Sequence, residues 1–245
     1  MKKLLSVMAV LLMAAVVAFP PAAQAIIVPT ATLYLDDNAG ATLTILDQTP
    51  ILDSNPLPGV VTYIGALGPN WWLNVTTGVS NSPGVGGLAR MDLNSVNQSL
   101  AAGTLTLMFN DINFANAGVN SSASMAVGGT TPAIGGAVTY SAYFDNTNAF
   151  SIPPNPFPPP FPNATATLIG TLGPFGGPAF SGTFNGNINT VNPYSLTEVV
   201  TIKHAAAGGS SLDAELKVVP LPPTALLLGG GLLGLVALGW RRRRS

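Results

Sequence analysis

Between Ile26 and Val219 apolar and polar residues alternate, and no stretch keeps a helical period. In Thr104–Phe109, Leu105, Leu107 and Phe109 share one face, and Thr104 and Thr106 share the other. In Val138–Phe144, Val138, Tyr140, Ala142 and Phe144 oppose Thr139, Ser141 and Tyr143. Leu196, Val200 and Ile202 likewise oppose Thr197, Val199 and Thr201. A period of two sends successive side chains to opposite faces of an extended chain, so each segment reads as a strand with one buried and one wet face. Ala31–Leu35, Ala41–Leu46, Val60–Ala66, Trp71–Thr77, Ala164–Thr171 and Ala214–Val218 are further candidates, separated by turn clusters such as Asp36-Asp37-Asn38-Ala39-Gly40. About ten short strands without a helix predict an all-β fold, an antiparallel β-sandwich.

This region of 194 residues is long enough for a sizeable core. It holds all ten acidic residues of the chain but only Arg90, Lys203 and Lys217 as bases. Such an acidic, base-poor surface argues against nucleic acid and anionic lipid as partners. The chain has no cysteine, which excludes disulfide scaffolds and thiol enzymes and leaves core burial to supply stability. Two stretches echo one another at five of six positions: Ile64-Gly65-Ala66-Leu67-Gly68-Pro69 and Ile169-Gly170-Thr171-Leu172-Gly173-Pro174. They read either as duplicated halves or as a shared strand-end turn. Pro153 to Pro162 contains seven prolines and predicts an extended, stiff connection between strands.

The two ends are built differently. Lys2 and Lys3 precede an uncharged run from Leu4 to Phe19, and Ala23-Gln24-Ala25 gives the small–x–small pattern of a signal-peptidase site. Residues 1–25 therefore read as a signal peptide for the Sec translocon, cut after Ala25. A retained helix is the alternative, and the shortness of the run disfavours it. At the other end, Val219, Pro220, Leu221 and Pro222 lead into the uncharged stretch Thr224 to Trp240, followed by Arg241, Arg242, Arg243 and Arg244. Seventeen residues of helix rise about 25 Å, enough to cross a bilayer core, and the arginines hold that end in the cytoplasm.

Motif, apolar stretch and basic tail over residues 219–244 resemble a PEP-CTERM sorting signal of the VPLP type, with Leu221 where the commoner form has Glu. The segments Trp72–Ser80, Asp92–Asn97, Gly103–Phe109 and Tyr194–Ile202 also look like segments that recur in the ectodomains of that family. The resemblance implies recognition by an exosortase, a membrane-embedded cysteine transpeptidase of exopolysaccharide-producing Gram-negative bacteria. It further implies an inner-membrane intermediate, removal of residues 220–245, and delivery of residues 26–219 to the cell surface or extracellular matrix. Leu221-Pro222-Pro223-Thr224-Ala225 also resembles a sortase signal with Ala225 in place of Gly, and a plain tail anchor is the third reading.

The catalytic inventory is sparse. His204 is the only histidine and reads as a surface residue near a strand end, and no Gly-x-Ser-x-Gly turn is present. Glu198 and Glu215 are the only glutamates, and carboxylate pairing depends on the fold. With one histidine and no cysteine a transition-metal site is not expected. Asp36, Asp37, Asn38 and Asp47 fail the EF-hand pattern at Ala41 and at Asp47 and read as a polar hairpin turn. The expectation is a protein without catalytic residues, metal or cofactor. The adjacent pair Trp71 and Trp72 should place one ring in the core and the other at the surface, where, between Asn70 and Asn74, it suits stacking on a sugar. Exopolysaccharide is accordingly the partner expected, with a carbohydrate-binding or adhesin module as the alternative to a matrix component.

Overall fold

The computed structural model describes residues 30–84, 88–115, 121–132, 135–150 and 164–219. Within them the alternating segments become twelve strands. These are β1 (Thr32–Asp36), β2 (Thr42–Leu46), β3 (Val60–Leu67), β4 (Trp71–Ser80), β5 (Ala89–Ser99) and β6 (Gly103–Phe114). The remainder are β7 (Ser121–Thr130), β8 (Ala137–Asp145), β9 (Thr167–Phe175), β10 (Phe180–Ile188), β11 (Tyr194–His204) and β12 (Gly208–Val219). Among the described residues no helix is long and apolar enough to cross a membrane. The signal peptide, the Pro-rich segment 153–162 and the sorting signal from Pro220 onward lie outside the described residues; Val219 closes β12.

Two six-stranded antiparallel sheets face each other, sheet A in the order β2-β1-β6-β11-β8-β9 and sheet B in the order β10-β7-β12-β5-β4-β3. The last eight strands pair from the outside in: β5 with β12, β6 with β11, β7 with β10 and β8 with β9. A long hairpin wrapped into two sheets gives this order, and it is that of a jelly roll. The hairpin β1–β2 widens sheet A beside β6, and β3–β4 widens sheet B beside β5. The predicted β-sandwich is therefore present, with two strands more than the sequence suggested. The echoed segments occupy unlike places, Ile64–Pro69 running from β3 into its turn and Ile169–Pro174 lying within β9.

Between the sheets lies one apolar core. Leu105, Leu107 and Phe109 of β6, Val138, Tyr140 and Ala142 of β8, and Leu212, Ala214 and Leu216 of β12 all point into it. Each such side chain removes apolar surface from water at about 25 cal/mol per Å². The wet face expected opposite them is only partly wet. On the outer side of sheet A, Thr32, Asn110 and Thr197 form one buried cross-strand row, and Tyr34, Met108 and Val199 pack together in the next. Asn110 explains part of this burial. Its Nδ2 donates to the Leu196 carbonyl at 2.9 Å and to Thr197 Oγ1 at 2.8 Å, closing over the bulge where β11 slips against β6.

Candidate ligand-binding face

The outer side of sheet B is built by the same alternation that fills the core. In β12, Asp213, Glu215 and Lys217 point outward between Leu212, Ala214, Leu216 and Val218. In β5, Arg90, Asp92 and Asn94 do so between Ala89, Met91 and Leu93. Register then aligns them in cross-strand rows. One row runs Thr183, Ala126, Glu215, Asp92 and Val79; the next runs Ser181, Gly128, Asp213, Asn94 and Thr77. Because β7 and β10 contribute only small side chains here, the face sinks into an open trough of about 910 Å³ walled on one side by Asp92, Asp213 and Glu215.

Arg90 and Lys217 hold two of those carboxylates in place. Arg90 reaches Asp92 Oδ2 at 3.1 Å through Nη2 and Glu215 Oε1 at 2.7 Å through Nε, while Lys217 Nζ lies 2.6 Å from Glu215 Oε2. Asn94 Nδ2 also donates to Asp92. Both cations are about half exposed, so each pair contributes no more than about 1 kcal/mol to stability, and their main effect is to fix geometry. Burial, and then the neighbouring Asp213, raise the pKa of Asp92 above the usual carboxylate range. Asp213 is exposed and forms no ion pair among the described residues.

Trp71 and Trp72 divide as alternation requires. Trp71 is buried, and Trp72 is 48% exposed on the outer side of sheet B, between Ala66 of β3 and Gln98 of β5. A recess of about 280 Å³ lined by Asn74, Val96, Gln98 and Ser211 lies beside it, and Ser211 also lines the trough. Trp72, recess and trough thus lie across five strands of one sheet face, about 19 Å measured perpendicular to the strands at the usual spacing.

His204 is not the surface residue the sequence suggested. It keeps the inward parity of Val200 and Ile202 and is 1% exposed. Sheet B offers it a polar lining: Ser99 Oγ lies 2.7 Å from Nδ1 and Ser210 Oγ 3.1 Å from Nε2, and Ser210 in turn donates to Asn97 Oδ1 at 2.7 Å. The Trp71 ring packs on the imidazole with centroids 4.9 Å apart. Burial lowers the pKa of the imidazole. Among the described residues no carboxylate hydrogen-bonds the ring, and Ser99, Ser210 and the buried imidazole form a polar network within the core.

Glu198, whose pairing the sequence left open, is resolved by the fold. It is fully buried between the sheets, and its Oε1 accepts the Tyr140 hydroxyl at 2.7 Å. Its inward parity between Leu196 and Val200 was the available signal. The aspartates considered for metal serve turns instead. Asp37 Oδ1 accepts from Ala39 N and Ala41 N, both at 2.8 Å, Asp36 Oδ1 accepts from Asn38 N at 2.7 Å, and Asp47 Oδ2 accepts from Gly59 N at 2.7 Å. Asp53 and Asp145, also buried, cap backbone N–H groups in the same way. Among the described residues no cluster of three or more His, Cys, Asp or Glu is placed to hold a metal.

Fold and face together define a jelly-roll sandwich with an open, polar groove across one sheet. No protein-family model matches the chain, and no curated protein matches it in sequence. Among solved structures, 62% of the chain is similar to 16% of the enzymatically active domain of tailspike protein 4 from bacteriophage CBA120, at 11% identity and a TM-score of 0.24. A further 68% coverage is found against 93% of the K1 cleaved adhesin domain of Lys-gingipain from Porphyromonas gingivalis W83, at 12% identity and a TM-score of 0.29. The CBM22-1 xylan-binding domain of Paenibacillus barcinonensis Xyn10C is matched over 62% of this chain and 88% of its own, at 9% identity and a TM-score of 0.27. Likenesses this remote leave the face to be read from its own geometry.

Proposed function

We propose that the outer face of sheet B binds a polysaccharide, and that the protein serves as an exported, non-enzymatic component of the cell surface or extracellular matrix. One observation carries the reading: a half-exposed indole, Trp72, pairs across the sheet with Gln98, which lines a polar recess that shares Ser211 with the trough. An aromatic ring supplies an apolar platform for a sugar face, and fixed carboxylates and amides accept from or donate to its hydroxyls. The groove is open along its length, which suits a chain of sugars better than a small molecule.

Export rests on the sequence of the two ends. In this reading Ala23 and Ala25 direct signal-peptide removal, and Val219-Pro220-Leu221-Pro222 with Arg241 to Arg244 direct an exosortase-like enzyme. Titrating residues 26–219 with the host's own exopolysaccharide while following tryptophan emission tests binding. A saturable change that Trp72→Ala abolishes is expected, and a flat titration of folded protein removes the proposal. Mass spectrometry of the mature C-terminus tests sorting, because an intact Arg241–Arg244 tail on surface protein rules it out.

A further inference from the structure

Four strands end the two sheets, β2 and β9 in sheet A and β3 and β10 in sheet B. An edge offers a row of backbone donors and acceptors to any extended chain, and folded proteins blunt such rows by shortness, proline, bulges, charge or cover. Three of these edges are blunted. β2 is five residues long. β9 contains Pro174 and two breaks in its register with β8. β3 is bulged between Tyr63 and Gly65, and the preceding chain covers its open side: Thr62 N donates to Asp53 Oδ1 and Ser54 N donates to the Thr62 carbonyl, each at 2.9 Å.

Among the described residues β10 has none of these devices. Its nine residues keep unbroken register with β7, contain no charge and no proline, and receive no hydrogen bond on the open side from any described residue. Its sequence is also a chemical palindrome. Phe180-Ser181-Gly182-Thr183-Phe184-Asn185-Gly186-Asn187-Ile188 reads apolar, polar, Gly, polar, Phe, polar, Gly, polar, apolar in either direction. Laid antiparallel on itself about Phe184, it sets Thr183 against Asn185, Gly182 against Gly186, Ser181 against Asn187 and Phe180 against Ile188.

We propose that two copies of this chain pair β10 to β10 about a two-fold axis at Phe184, joining their B sheets into one continuous sheet. Such an interface is isologous, so one self-complementary strand is all it requires. The inner side gains as well. Phe180 and Phe184 are only partly buried in one copy, and each meets an apolar residue of the second. On the outer side the polar row Ser181, Thr183, Asn185 and Asn187 continues from copy to copy. Because β3 at the opposite edge is covered, pairing closes at two copies and does not propagate into a filament. Ser181 and Thr183 of this strand also line the trough, but the pairing needs no ligand there.

The absence of native cysteine makes the register measurable. Full-length chain carrying Thr183→Cys is mixed with chain carrying Asn185→Cys in mild detergent and oxidised. The expected result is a disulfide-linked dimer formed much faster than with Ser181→Cys, which lies four residues, roughly 13 Å, out of register. Equal rates for both mixtures, or no cross-link in either, overturn the proposal. In the second arm, Thr183→Lys with Asn185→Lys places like charges opposite each other twice and should weaken dimerisation at least about tenfold by sedimentation, with the circular dichroism unchanged. A folded double variant that dimerises as wild type does overturns it too, and would move the contact to another surface such as the apolar C-terminal stretch.

Discussion

Tyr140 donates its hydroxyl to Glu198 at 2.7 Å between the two sheets, while the second carboxylate oxygen, Oε2, has no partner among the described residues. An ionised carboxylate with an unmatched oxygen is costly in such a place, and burial accordingly raises the Glu198 pKa well above the usual range. Burial thus favours the neutral form of both partners inside an apolar core.

Linkage gives the sign of its pH dependence. Above the ordinary glutamate pKa the unfolded chain has lost this proton while the folded chain still holds it, so stability falls as pH rises through that interval. Glu198→Gln keeps the acceptor for Tyr140 and removes the titration. Urea midpoints should therefore show the variant gaining on wild type between pH 5 and pH 8. A constant difference across that range would mean that Glu198 is charged in the fold.

His204 bends the profile the other way. Its folded pKa is lowered by burial, so below about 6.5 the unfolded chain takes up a proton that the folded chain resists, and stability falls with acidification. His204→Gln should flatten the loss between pH 7 and pH 5. Ser99→Ala removes the 2.7 Å partner of Nδ1 and should cost about 1–3 kcal/mol at pH 7. A Ser99→Ala protein as stable as wild type would show that the buried network is not formed.

These two residues also mark the limit of what the sequence disclosed. The parity of β11 assigns Leu196, Glu198, Val200, Ile202 and His204 to one face, yet residue type suggested a surface position for His204 and left Glu198 unassigned. Period outranks type when a polar partner waits inside, here Tyr140 for Glu198 and Ser99 for His204. β7 and β10 escaped notice because Ser121–Thr130 and Phe180–Ile188 are dominated by Ser, Gly, Ala, Thr and Asn, which blunts the hydropathy contrast, whereas β5, with Met91 and Leu93 set between Arg90, Asp92 and Asn94, carried a readable alternation that was missed. The groove was illegible for another reason. It exists only because β12 lies between β5 and β7, a register set by partners about 80 to 130 residues away in sequence. Trp71 and Trp72 needed only local alternation, and their division into core and surface was readable.

Strand register in β6 can be checked with neighbouring residues. Leu107 is fully buried between the sheets, whereas Thr106 faces outward and accepts from Asn38 Nδ2 at 3.1 Å. Leu107→Asp should cost at least about 3 kcal/mol and Thr106→Asp under about 1 kcal/mol in thermal unfolding. Equal losses would mean that the strand is shifted by one residue.

Two glycines separate packing from binding. A Cβ on Gly78 would run into the Phe109 ring, so Gly78→Ala overpacks the core and should cost about 1–3 kcal/mol. A Cβ on Gly128 meets nothing nearer than the Phe180 carbonyl at 3.7 Å. Gly128→Ala should leave the melting temperature within a degree or two of wild type while narrowing the trough and weakening polysaccharide binding, read by tryptophan emission.

The tryptophan pair gives the sharpest division, because adjacent residues of one strand are assigned opposite duties. Trp71 is 3% exposed and packs on His204, so Trp71→Ala opens a cavity in the core and should cost about 3–5 kcal/mol. Trp72 is 48% exposed, so Trp72→Ala should cost under about 1 kcal/mol in stability. For polysaccharide affinity the order reverses. Loss of one stacked ring from an exposed platform should weaken binding roughly tenfold or more, whereas Trp71→Ala, measured where the variant is still folded, should bind nearly as wild type does. Denaturant unfolding and isothermal titration of both variants supply the two axes. If both substitutions weaken binding only in proportion to lost stability, the outer indole is not a ligand contact and the groove must be assigned another use.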